Sequence, residues 1–299
     1  MKHTLYCGSY GNEGIYKVEV ENGKFSAPQL FSRIEGTKYL CVDGEHIVSV
    51  YSEGKGKSGV AVLDFEGKKL ASLIHEDILS CFVSSQSGNI CMANYHEGTF
   101  SFLKYENGEI TLKKKVFIKE KAGCHMVFAF KEYYLGFALF MDTVYVFDSD
   151  YECVHEIHFP KGSGPRHGVL SADGKYLYVV SELSNEVFVV STENWEILNQ
   201  VQLTKEKTDG SAAIRLFEDK LYVSIRGLDE VYELRVNNNQ LEVLSSYACG
   251  GKHPRDMIVL DGQVICANTH SSMLTLLREG KVVDSVEIPE AVTVDWTVL

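Results

Sequence analysis

The sequence predicts an all-β fold, a seven-bladed β-propeller of four-stranded antiparallel blades, on three observations. A strand–turn–strand pattern recurs every 43 or 44 residues along the chain, the composition suits strands, and the C-terminal segment is a strand left over after the last repeat. All 299 residues read as a single domain, because no linker, low-complexity stretch or composition shift divides them.

The repeat is plainest at "KYLYVVSELSNEVFVV", which begins at Lys175: β-formers, a small or polar pair, then a second apolar alternation. In chain order the copies begin at His3, His46, Asn89, Tyr133, Tyr176, Lys220 and Gln263. Those from Asn89 onward are clear; "HIVSVYSEGKGKSGVAVL" and the opening "HTLYCGSYGNEGIYKV" are weaker. Repeats of this length with several strands each point to propeller blades. The first copy opens directly on an inner-type strand, and the terminal "AVTVDWTVL" is expected to pair into that blade, closing the ring and removing exposed sheet edges. "KKKVFIKEK", from Lys113 to Lys121, alternates in polarity and reads as a solvated outer strand. "GSYGNEG" reads as a hairpin turn, since no helix pattern follows it as a phosphate loop requires.

Composition narrows the functional classes. With 29 Lys and Arg against 41 Asp and Glu, the net charge is −12, which disfavours nucleic acid and anionic membranes as partners. A small anion needs a local cluster of cations instead. None of the 8 cysteines forms a C-x-x-C pair, and they read as reduced core residues. The N-terminus lacks the apolar run of a signal peptide, and "YYLGFALFM" (Tyr133 to Met141) is too short to span a bilayer, so the expected location is cytoplasmic. No cofactor motif is found. "HEIH" (His155 to His158) would point its two histidines to opposite faces of a strand, and no G-x-S-x-G marks a nucleophilic serine. Oligomeric state is not legible.

In a propeller, equivalent repeat positions are neighbours around the axis. Glu182 and Arg226 lie one repeat apart, in a column that also holds Tyr95, Leu139 and Thr269, and are expected to face one another at the channel mouth. About 14 residues earlier a second column contains His125 in "AGCHMVF", Arg166 and His167 in "GPRHGVL", and Arg255 in "GKHPRDM", with Arg166 and His167 one or two positions off register. A base, a carboxylate and several cations around one cavity suit a hydrolase or an anion binder; the same charges could also staple blades together.

These segments, with "GKYLYVVSELSNEV", "LYVSIRG" and the opening "YCGSYGNEGIY", resemble the seven-bladed lactonase family, which includes propeller-type 6-phosphogluconolactonases and fungal carboxymuconate lactonising enzymes. The likeness covers nearly the whole chain and is strongest from Gly123 to Thr269; "FEDK" and "VLDG" replace the family's longer Pro-containing turns. The resemblance implies a catalytic set of His125, Glu182, Arg166 and Arg226 and a small anionic lactone as substrate; the remaining members of the column, His167 and Arg255, are expected to bind substrate. It implies a hydrolase in which His125 or Glu182 deprotonates water and Arg226 or Arg166 stabilises the oxyanion. A carboxylate beside a guanidinium is weakened as a base, which favours His125 for proton transfer. The alternatives are a muconate-type cycloisomerase or lyase using the same residues, and a non-catalytic binding scaffold.

Overall fold

Alternating apolar residues make each strand two-faced, so the strands build sheets that must bury both faces against neighbouring sheets. The structure, a computed structural model, describes residues 2–10, 13–54, 56–206 and 210–298. It contains seven antiparallel sheets: six of four strands each, and a first sheet whose outer edge is split into two short strands. Gly11 and Asn12, within the turn expected at "GSYGNEG", lie outside the described residues.

The seven copies found in the sequence each begin the second strand of a blade, as at His46–Ser52, Tyr133–Ala138, Tyr176–Ser181 and Gln263–Asn268. The first strand of each sheet lies inside it. Each of these first strands touches the next, and Ala291–Val298 touches both Pro254–Leu260 and Leu40–Asp43, so they form a closed ring. Closure follows the expected route: Ala291–Val298 pairs antiparallel with Lys2–Ser9, with Leu5 opposite Trp296 and Cys7 opposite Val294. The C-terminal strand thus supplies the innermost strand of blade 1 and covers the edge that Lys2–Ser9 would otherwise present.

The core consists of layers between blades. Phe137, Val144 and Val146 of blade 4, for example, pack on Leu177, Val179 and Phe188 of blade 5. Gly168 makes this possible locally, because a Cβ there would sit 2.7 Å from the Phe137 ring. The basic run forms much of the outer strand Glu109–Phe117, largely exposed as expected. Lys115 departs from that pattern: it pairs with the buried Glu76 and, at 3.0 Å, with Glu97.

Candidate active site

The inner strands are regular except where they reach one end of the channel. Pairing between the first and second strands slips between Cys124 and Met126, between Pro165 and His167, and between Pro254 and Asp256. The extra residues are His125, Arg166 and Arg255. A bulge of this kind bends the strand and re-aims one side chain. Two positions ahead of each, the chain takes a left-handed φ, at Gly123 (71°), Gly164 (68°) and His253 (62°). The motifs "GCH", "GPR" and "HPR" are therefore one device, a left-handed turn feeding a bulge. Arg166 looked out of register in the sequence because the turn after its strand, Ser171–Lys175, is longer than Lys131–Glu132 or Asp261–Gly262.

The cavity at this end measures about 250 Å³ and is lined by Tyr10, Lys38, Leu79, Cys81, Tyr95, His96, His125, Glu182, Arg226 and Arg255. These residues come from all seven blades or the segments leading into them, so the cavity is the channel mouth. Glu182 meets both expected guanidiniums: its Oε2 lies 2.8 Å from Arg166 Nε and 3.0 Å from Arg226 Nη2. The Arg166 contact is an ion pair by distance only, since the Nε–H is not aimed at the carboxylate. Arg166 Nη1 donates to the Ala212 carbonyl (2.5 Å), which ties blades 5 and 6 together at this point, and Arg226 Nε donates to the Gly210 carbonyl (3.2 Å) within blade 6. Among the described residues, Glu182 Oε1 has no ion pair or hydrogen bond.

Burial dominates the electrostatics. Arg166 is 1% exposed, and burial, reinforced by Arg226, brings its guanidinium down to about 10 while Glu182 opposes the shift. Burial first, then the guanidiniums of Arg166, Arg255 and Arg226, hold the His125 imidazole well below its ordinary range. His125 is therefore neutral at physiological pH and a weakened base, which counts against the preference drawn from sequence for His125 over Glu182 in proton transfer.

His167, expected to touch substrate, is 1% exposed and is not among the lining residues. It stands behind His125 (ring centroids 5.0 Å apart), against Phe82 and Tyr39, with Nε2 3.5 Å from Arg166 Nη1. The bulge explains this placement: Arg166 is the extra residue, and His167 returns to the ladder opposite Val180. Deeper still, Asp256 accepts hydrogen bonds from Arg215 Nη2 (2.6 Å), Thr293 Oγ1 (2.8 Å) and the backbone N–H of Val294 (3.2 Å). This charge-compensated plug supports the floor.

Sequence reasoning missed Lys38, Cys81 and Tyr10. Lys38 carries the same signal as the others: "GTK" repeats the turn, with Gly36 at a φ of 80°, and Lys38 shares the register of His125 and Arg255. Cys81 shares that register too. It lines the cavity while also packing against the core around Phe82 and Phe100, and burial pushes its thiol up to about 11; Cys153 is the exception to the core reading, being exposed. Tyr10 shares its repeat position with His96, another lining residue two copies further on, a column the sequence reading did not draw. Among the described residues, no three His, Cys, Asp or Glu side chains are grouped as metal ligands.

Residues 4–296 match the family described as "Lactonase, 7-bladed beta-propeller". A 6-phosphogluconolactonase of Bacillus subtilis is 28% identical over 340 aligned positions, covering 99% of this chain and 97% of that one. The crystal structure of a Pseudomonas aeruginosa periplasmic gluconolactonase superposes with a TM-score of 0.89 at 21% identity, covering 100% and 99% of the two chains. A Lactobacillus plantarum protein gives the same TM-score at 24% identity, with 100% of both chains covered. The left-handed turns, the bulges and the cationic mouth are thus set in a chain that belongs to the family of seven-bladed β-propeller lactonases.

Proposed function

We propose that this lactonase hydrolyses a sugar lactone bearing an anionic group, 6-phosphogluconolactone being the first candidate, with catalysis supplied by side chains at the channel mouth. The observation that carries the reading is the pairing of Glu182 with Arg166 and Arg226 in a cavity that otherwise presents cations, within a chain of net charge −12. A local excess of positive charge against that overall field suits a small anion.

Glu182, held by two guanidiniums on Oε2, takes a proton from the attacking water through Oε1. The water oxygen bonds to the lactone carbonyl carbon, and the resulting oxyanion is stabilised by Arg226, the guanidinium of the pair that lines the cavity. Collapse of the tetrahedral species breaks the ring C–O bond, and the departing alkoxide recovers the proton from Glu182. The product is a hydroxy acid, which loses its carboxyl proton to solvent. His125, neutral and buried beside Tyr95, orients the water or the carbonyl by hydrogen bonding. Arg255 receives the anionic group, where a guanidinium fits oxyanions well. Arg166 acts as a positioning residue, because it reaches Glu182 from behind the cavity wall.

The test follows ring opening in ¹⁸O-water by NMR, with spontaneous hydrolysis in buffer as baseline. Hydrolysis predicts one ¹⁸O in the product carboxylate at a rate well above buffer. Isomerisation without label uptake would assign the site to lyase chemistry, and a rate equal to buffer would remove the reading altogether.

A further inference from the structure

The cavity has two unlike walls. On the side of blades 4 to 6, the cations are matched to Glu182. On the side of blades 7, 1 and 2, Lys38 and Arg255 line the cavity, and among the described residues neither side chain forms an ion pair or a hydrogen bond. Both stand over one ring: Lys38 Nζ is 5.8 Å and Arg255 Cζ 5.4 Å from the centroid of Tyr10. An aromatic face attracts cations, but more weakly than a carboxylate would.

The arrangement is prebuilt. Gly36 takes a left-handed φ of 80°, where a Cβ would lie 2.7 Å from the Ser52 Cβ, and the Lys38 N–H closes the turn onto the Gly36 carbonyl at 2.7 Å. Between them, Thr37 Oγ1 accepts the Ser9 N–H (3.3 Å) and donates to the Gly14 carbonyl (3.0 Å). This fastens the segment bearing Lys38 to the strand end bearing Tyr10. The Tyr10 N–H in turn donates to the Glu290 carbonyl (3.2 Å), at the entry to the strand that closes the ring. Two cations are thus held near each other, and among the described residues neither is paired with an anion. Burial lowers the Lys38 ammonium below its usual range, with Cys81 opposing the shift and Arg255 adding to it.

We infer that Lys38 and Arg255, set around the Tyr10 ring, form a two-cation subsite that takes a substrate's phosphate monoester and makes Lys38 a specificity-determining residue. Two cations match a phosphate dianion better than a single carboxylate, and Lys supplies a point charge beside the flat guanidinium. The carbonyl to be opened then lies across the cavity at Glu182, so the substrate spans the mouth. The inference rests on the lactonase reading for its catalytic consequence, but phosphate binding itself does not.

The experiment has two arms, each with wild type, Lys38→Met and Lys38→Arg. In the first, kcat/KM is measured for a phosphorylated and an unphosphorylated aldonolactone, net of spontaneous hydrolysis. Loss of one charge-assisted contact predicts that the preference for the phosphorylated lactone falls about tenfold or more in Lys38→Met, mainly through KM, and is largely kept in Lys38→Arg. In the second, inorganic phosphate is titrated calorimetrically, and its affinity is expected to fall about tenfold in Lys38→Met. Thermal unfolding confirms that each variant is folded. An unchanged preference, or phosphate bound equally well by Lys38→Met and wild type, would overturn the subsite. If wild type opens neither lactone but phosphate binding still depends on Lys38, the lactonase reading fails and the subsite stands.

Discussion

The two walls of the channel mouth share left-handed turns that aim side chains inward, yet carry opposite electrostatic states. On the wall of blades 4 to 6, Arg166 and Arg226 spend their charge on Glu182 and on backbone carbonyls, so the group that does chemistry is held before any ligand arrives. On the wall of blades 7, 1 and 2, Lys38 and Arg255 have only the Tyr10 ring between them. The difference separates preorganisation from recognition. Catalytic groups gain when their dipoles and charges are fixed in advance, whereas a recognition site gains when its charges are left for the ligand to satisfy.

The comparison can be broken most sharply at Glu182. Glu182→Gln keeps the shape but removes the base, and turnover is expected to fall by about 10²–10⁴-fold with phosphate affinity little changed, read by steady-state kinetics and calorimetry. Arg226→Ala comes next. It removes the cavity-lining oxyanion partner and is expected to cost about 10²–10³-fold in kcat, while KM for the anionic lactone changes far less. A KM-dominated loss would move Arg226 to the recognition wall. Lys38→Met, with its tenfold change of preference, probes the opposite wall and should leave thermal stability unchanged or raised, since one of two like charges is removed.

The smallest effect concerns the floor beneath both walls. Burial, then the Arg166 guanidinium, keeps the His167 imidazole well below its ordinary range. As pH drops below about 6.5, the unfolded chain binds a proton at this position that the folded chain does not, so acidification favours unfolding; above that pH the group contributes no slope. Relative to His167→Gln, wild type should therefore lose up to about 1.4 kcal/mol of stability per pH unit below 6.5, measured by denaturant titration at several pH values. A difference that stays constant down to pH 5 would show that His167 takes up its proton in the folded state.

The ring was legible because its period is set by the geometry of a blade, and seven copies of a weak pattern reinforce one another. Glu182 facing Arg226 was legible for the same reason: each immediately follows a second strand, whose register is fixed by regular pairing. The inner-strand column was only half legible. There a bulge decides which of two adjacent residues faces the cavity, and sequence spacing does not register a bulge, so Arg166 and His167 looked interchangeable. Lys38 was overlooked because blade 2 has a short inner strand, Leu40–Asp43, and a faint repeat, although its Gly36-Thr37-Lys38 turn matches Gly123-Cys124-His125 in form. Tyr10 was overlooked because it lies in the weak first copy, although it shares its repeat position with His96; its role depends on two cations converging from other blades.

The central claim is that a carboxylate at the charge-paired wall opens the lactone ring. A pH-stat assay of 6-phosphogluconolactone opening, comparing wild type, Glu182→Gln and buffer under one set of conditions, tests it most directly. The account predicts proton release by wild type far above the spontaneous rate, and release by a folded Glu182→Gln close to that of buffer. Equal rates for wild type and Glu182→Gln would contradict it.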